Sequence, residues 1–326
     1  MKNYFSVFTL FLKFFLAFSL LGGQVLIAQA DAQEVKTSIY IINIYDLDIN
    51  QHSFYVDCYI SFKWKGDRDP MNIEFVNSVE KWGATIEPFY EEAITTEDGY
   101  QYNGMRYEGR FYHPFQLERF PLDQHLLDIQ IENVDYPIDS LVYIADTNAT
   151  FIREEFHLPG WNILGTSTSS EQHVYPINFG EMGKEKTTFS NFIFQFGLRR
   201  PLNYFLLKLL LPLLIVVVAS LGALLIHPSN IDARISLPIG GLLSAVFLQQ
   251  SYSSALPDVG YMVLMDKIYL LVYMLIASIM LRVVLSGNTI AKLKKATDIQ
   301  QIKRRDTYLI LLLLALLAIG ISILVF

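Results

Sequence analysis

Two hydrophobic patterns divide the chain near residue 200. Upstream, apolar and polar residues alternate with a period of two. The run Ser53-Phe54-Tyr55-Val56-Asp57-Cys58-Tyr59-Ile60-Ser61-Phe62-Lys63-Trp64 is the longest case, and 126–131 and 191–198 repeat it. Turn residues recur about every 8 to 15 positions. Short alternating strands at that spacing predict an all-β, immunoglobulin-like sandwich. Residues 180–186, Gly-Glu-Met-Gly-Lys-Glu-Lys, read as the tip of a long hairpin between two such strands. Downstream lie four continuous apolar stretches, near 204–226, 234–253, 262–285 and 308–326. Each matches the ~20 residues that a helix needs to cross a bilayer core, so the second half predicts a four-helix transmembrane bundle.

Composition sharpens that division. A hydrophobic content of 52% is high for a soluble protein, and the surplus sits in the first thirty residues and after 200. Met1-Lys2-Asn3, an apolar run through Leu21 and Ala28-Gln29-Ala30 fit a secretory signal peptide over 1–30. That leaves a sandwich domain over 31–200 and a membrane domain over 201–326. Acidic residues outnumber basic ones roughly two to one in the sandwich segment. Between the third and fourth spans, 288–306 holds Lys292, Lys294, Lys295, Lys303, Arg304 and Arg305, which predicts a cytoplasmic loop. With four spans, the sandwich and the C-terminus then share the outer, periplasmic side.

Enzymatic chemistry finds no foothold. The chain has no Gly-x-Ser-x-Gly elbow, no His-Glu-x-x-His, no phosphate-cradling glycine loop and no cysteine pair. Its six histidines are scattered and Cys58 stands alone, so no intrachain disulfide can form. No cofactor and no nucleic acid partner are expected, and the residues name no metal ligand set.

The second apolar stretch is unlike its neighbours. It opens with Asp232 and Arg234, contains Pro238, Gly240 and Gly241, and ends in Gln249-Gln250-Ser251-Tyr252-Ser253-Ser254. At helical spacing Ser236, Gly240, Leu243, Phe247, Gln250 and Ser254 share one face, a mostly small or polar stripe with two large apolar members. Such a stripe faces protein or water rather than lipid. Close helix packing on small residues would also produce it, and the spacing leaves both readings open.

Four further landmarks carry a family resemblance. Phe120-Pro121-Leu122-Asp123-Gln124 resembles the Phe-Pro-x-Asp signature of the loop that names the Cys-loop receptor superfamily. Bacterial members lack its two cysteines, and those positions here are His113 and Leu127. Arg200-Pro201 before a first span containing Pro212, and Leu256-Pro257 after the second span, resemble the family's marks at those places. The chain thus resembles one subunit of a bacterial pentameric ligand-gated ion channel of the inner membrane.

The resemblance implies five identical subunits in the lipid bilayer, with the second span lining a pore through Asp232, Ser236, Gly240, Leu243, Phe247, Gln250 and Ser254. Leu243 matches the family's hydrophobic gate, with Phe247 as a second ring. Asp232, two residues before the family's basic position at Arg234, would form a selecting ring of carboxylates and favour monovalent cations. Ala233-Arg234 also resembles anion-selective members, so an anion channel of the same fold is the alternative, with a non-conducting sensor or scaffold as a third. Coupling falls to Asp46, Asp48, Asp123, Arg200 and Pro257. The agonist site is expected under the hairpin, from Tyr136, Tyr175, Phe179 and Phe189, although Val134 and Phe75-Val76-Asn77 depart from the amine-receptor pattern. Protons, a small amine or modulating divalent ions remain as stimuli, with Glu91-Glu92, Glu97-Asp98 and Glu154-Glu155 as the visible acidic pairs for proton sensing or calcium.

Overall fold

The structure, a computed structural model, describes residues 32–180, 185–292 and 296–325. The expected leader over 1–30, most of the expected hairpin tip over 180–186, and Lys294 and Lys295 lie outside the described residues.

The first half is a β-sandwich. Its strands are β1 (Gln33–Asp48), β2 (Ser53–Trp64), β3 (Ile73–Phe75), β4 (Ser78–Val79), β5 (Thr85–Pro88), β6 (Ile94–Thr95), β7 (Gln101–Tyr112), β8 (Gln124–Asn133), β9 (Leu141–Ala145), β10 (Phe151–Ile152), β11 (Asn162–Tyr175) and β12 (Thr187–Arg199). One sheet runs β10-β1-β2-β7-β4, with β5 and β6 also on β7 and β9 on β1; the other runs β11-β12-β8-β3. Alternation decides which side chains go inside. Phe54, Val56, Cys58, Ile60 and Phe62 of β2 face Leu127, Ile129 and Ile131 of β8 and Phe192, Phe194 and Phe196 of β12 in one buried core. The rings of Phe54 and Phe196 meet edge to face at 6.1 Å, one sheet against the other. The β1–β2 pairing slips twice, between Ile41 and Asn43 and between Tyr45 and Asp48, and Asp46 there has a φ of 51°. These bulges bend the end of the hairpin that carries Asp46 and Asp48.

Past Arg199 the chain becomes helical. A π-helical stretch, Tyr204–Leu210, continues as α1 (Leu211–Gly222). Pro212 at its start has no N–H to return to the preceding turn, and the wider turn ahead of it absorbs the missing donor. Then follow α2 (Ile231–Ser253), α3 (Leu264–Lys292) and α4 (Ala296–Val325). All four helical segments are long and apolar enough to cross a membrane. Helices α1 and α2 cross at Gly241, where an added Cβ would lie 2.0 Å from Ser220 Oγ.

The helix ends differ from the expected spans. α1 stops at Gly222, short of 226, and α2 begins at Ile231, ahead of 234. α3 runs to Lys292 and α4 begins at Ala296, so the loop expected over 288–306 is helical on both sides of 293–295. Apolar length marks only the bilayer core. The flanking Ala, Gln, Lys and Arg residues are strong helix formers with no Gly or Pro among them from 288 to 306, and the helices extend into this segment as far as Lys292 and from Ala296.

Candidate functional site

Helix α2 has two faces. Arg234, Pro238, Gly241, Ala245 and Tyr252 are buried against the neighbouring helices. Asp232, Ser236, Gly240, Leu243, Phe247, Gln250 and Ser254 are all exposed on the other side. Leu243 and Phe247 are 56% and 66% exposed, so the subunit's own fold leaves two large apolar side chains bare in the middle of a polar stripe. Asp232 stands in the first turn, where the helix dipole favours a carboxylate. Ser236 Oγ donates to the Asp232 carbonyl at 2.6 Å, which satisfies the hydroxyl within the helix.

Arg234 goes the opposite way from Asp232. Its side chain is fully buried, with Nε donating to the Ala223 carbonyl at 3.0 Å, Nη1 to Ser286 Oγ at 3.2 Å and Nη2 to Asp306 Oδ2 at 2.5 Å. Asp306 is itself fully buried and accepts a second bond, from Arg282 Nε at 2.7 Å. Sequence reading passed over Asp306 and Arg282. A charge beside or within an apolar stretch, which is costly unless paired, was the available signal.

The other end of α2 meets the sandwich. Tyr252 donates its hydroxyl to Asp266, which also accepts from the Val263 N–H at 3.1 Å as a residue of the first turn of α3. The Phe120 ring of the signature loop stacks on Tyr252 at 6.2 Å, and the Leu117 N–H donates to Tyr261 Oη at 3.1 Å on the α2–α3 connection. Pro257 lies half-buried on that connection, lining a cavity of about 290 Å³ with Gln250, Ser254 and Asp266. Three residues past Phe120 in the same loop, Asp123 is buried, accepting from Arg200 Nε at 2.8 and 3.1 Å and meeting His125 Nε2 at 2.8 Å. The Arg200 guanidinium lies 4.3 Å from the Trp161 ring and 4.9 Å from that of Phe120. Arg119 Nη2 reaches the Val325 carbonyl at 2.9 Å, tying the same loop to the end of α4.

The expected coupling residues thus divide. Asp123, Arg200 and Pro257 line the junction, whereas Asp46 pairs with Arg110 and Asp48 Oδ1 accepts from the Asn50 and Gln51 N–H groups at 2.9 and 3.0 Å. Trp161 stands between the two groups, stacked on Arg200 and lining with Asp46 a cavity of about 420 Å³. His113, at one of the cysteine positions, packs on Phe115 and His125 at 4.9 and 5.6 Å. Burial first, and then the neighbouring His125 and His52, push its pKa down to about 4.

Beneath the hairpin, Tyr175 and Phe179 meet at 5.3 Å, Tyr175 and Phe189 at 5.9 Å, and Phe179 and Phe189 at 6.2 Å, all edge to face. Tyr136 does not join them and packs against the sandwich core. Glu132 is buried below the cluster; it accepts from Tyr175 Oη at 3.0 Å and pairs with His173. Burial first, and then the Glu132 charge, raise the Tyr175 pKa to about 12. Glu132 breaks the β8 alternation, since it and both its neighbours are buried, and that is how it escaped a pattern-based reading. Among the described residues no three His, Cys, Asp or Glu side chains gather as a metal site.

No protein-family model matches the chain. Curated relatives do. The gamma-aminobutyric acid receptor subunit alpha-2 of Mus musculus is 24% identical over 259 residues, covering 72% of this chain and 55% of that protein. The same subunit of Bos taurus is 23% identical over 264 residues, with the same coverage. The proton-gated ion channel of Gloeobacter violaceus is 23% identical over 260 residues, covering 74% of this chain and 69% of the relative. The chain spans about half the length of the receptor subunits it matches. A β-sandwich ahead of four helices apolar enough to cross a membrane, and a signature loop seated on the α2–α3 connection, join with these relatives in supporting a multi-pass membrane protein similar to the ligand-gated ion channels of the Cys-loop superfamily.

Proposed function

We propose that the protein is one of five identical subunits of a ligand-gated channel for monovalent cations, with α2 from each subunit lining the pore and the sandwich sensing the stimulus on the periplasmic face. The observation that carries this reading is the exposed stripe of α2. A carboxylate, small polar residues and two large apolar side chains on one face suit neither lipid alone nor packing alone, but they suit a water-filled pore with an apolar constriction. On this reading Asp232 selects for cations, the Leu243 and Phe247 rings close the pore by dewetting, and the Asp123–Arg200 junction passes movement from sandwich to helices. Gating is then a population shift, in which the stimulus is bound better by the open arrangement.

For the stimulus, the buried Glu132 under Tyr175, Phe179 and Phe189 favours a small primary amine, whose ammonium would meet a carboxylate and aromatic faces together. Protons are the second reading, supported by the Glu132–His173 pair and by the Gloeobacter relative's description as proton-gated.

The test is current from the purified protein in a planar bilayer with asymmetric sodium chloride, screened against amines and pH steps. Reversal near the sodium equilibrium potential and earlier opening of Leu243→Ser support the proposal. Silence under every stimulus, or reversal at the chloride potential, counts against it.

A further inference from the structure

The charge cluster at the start of α2 lies off the exposed stripe, yet its geometry bears on ion selection. Arg234 and Asp232 are two residues apart, which sets their side chains on nearly opposite faces of the helix. An arginine side chain is long enough to turn back toward water. Here it cannot, because Ala223 at the end of α1, Ser286 on α3 and Asp306 on α4 each accept from a different guanidinium nitrogen. Asp306 is the one carboxylate among these contacts, and it also takes the Arg282 Nε. The cluster therefore holds two guanidinium groups against one carboxylate. Without Asp306 two positive charges would face each other, Arg234 fully buried and Arg282 partly so, with a carbonyl and a hydroxyl to accept from Arg234.

We infer that Asp306 is a positioning residue for ion selectivity: by anchoring the Arg234 guanidinium inside the helix bundle, it keeps a ring of positive charge out of the mouth that Asp232 lines. The inference rests on the proposed role of Asp232. It assigns selectivity in part to a residue of α4, the least covered of the four helical segments, which on that proposal never touches the permeating ion. With the anchor gone, the exposed face of its own helix offers Arg234 a route to water, and there its charge would offset the Asp232 ring.

The test compares Asp306→Asn, Arg234→Gln and the double variant in asymmetric sodium chloride. Asp306→Asn is expected to lower the sodium-to-chloride permeability ratio by about tenfold, the low end of what a charged lining does to local counter-ion concentration. Arg234→Gln alone should leave the ratio unchanged, and the double variant should restore it. Should Asp306→Asn fail to assemble, Asp306→Asn with Arg282→Gln returns the cluster to its original net charge while still freeing Arg234, and the same loss is expected. An unchanged ratio in a cation-selective background, or a loss that Arg234→Gln does not rescue, overturns the inference and leaves the Asp232 proposal standing. A parent channel that follows chloride overturns both.

Discussion

Arg200 Nε donates to both carboxylate oxygens of Asp123, at 2.8 and 3.1 Å, across the boundary between the sandwich and the helices. Asp123 belongs to the loop that stacks on Tyr252 at the end of α2, and Arg200 is the last residue but three before the first span begins. The pair is buried on the carboxylate side, so its geometry is held by more than charge. The guanidinium is also clamped between the Trp161 and Phe120 rings.

Removing one member leaves the other largely desolvated without its opposite charge. Asp123→Asn is expected to cost about 3–5 kcal/mol, the usual consequence of breaking a buried ion pair. Thermal unfolding in detergent reads the loss directly. Arg200→Lys keeps the charge but loses the stacked plane, so it should fall between the two and blunt the response to stimulus. Unaltered melting and activation in both variants would remove the pair from the coupling account.

Glu132→Gln tests the proposed stimulus site without touching the helices. The half-effective concentration of an amine agonist is expected to rise roughly ten- to a hundred-fold, in keeping with the ~1.5–3 kcal/mol of a hydrogen bond to a charged group. Reversal potential should stay fixed. An unshifted amine response would move the stimulus away from the ring cluster.

Much of this was legible in the sequence, and the parts that were not share a cause. The strands and apolar helices follow from local period, and the α2 stripe from helical spacing alone. Glu132 and Asp306 were not legible because each is a buried carboxylate whose partners, His173 and Tyr175 in one case and Arg234 and Arg282 in the other, lie dozens of residues away. The partner of Asp46 was equally illegible, since only the fold brings Arg110 to it from 64 residues away. Trp161, which links the two groups, has nothing in its local pattern to mark it.

Acid should weaken the sandwich through His113. Its native pKa of about 4 lies below the ordinary 6.5, so the unfolded chain binds the proton first as pH falls. The contribution of neutral His113 is fully present above about 6.5 and is lost progressively as pH drops from there toward about 4. The melting temperature is expected to decline across that window, and less steeply in His113→Phe. Equal slopes in both proteins would assign the acid sensitivity elsewhere.

Two adjacent glycines of α2 should respond oppositely. An added Cβ at 241 meets Ser220 Oγ at 2.0 Å, whereas one at 240 meets nothing within 4 Å. Gly241→Ala is expected to turn the Ser220 hydroxyl away from its bond to the Val216 carbonyl, at a cost of about 0.5–1.5 kcal/mol. Gly240→Ala should fold normally and affect only conduction.

The central claim is that the exposed face of α2 lines an ion pathway, and accessibility of single cysteines tests it most directly. Cys58 is buried in the sandwich core, so the parent protein offers a silent background. With cysteines placed one at a time along α2, a charged thiol reagent applied to open channels is expected to block current at 236, 240, 243, 247, 250 and 254. It should spare 238, 241 and 245, which the subunit's own helices cover. Block with no helical period, or block confined to the covered positions, would contradict the assignment of this face to a pore.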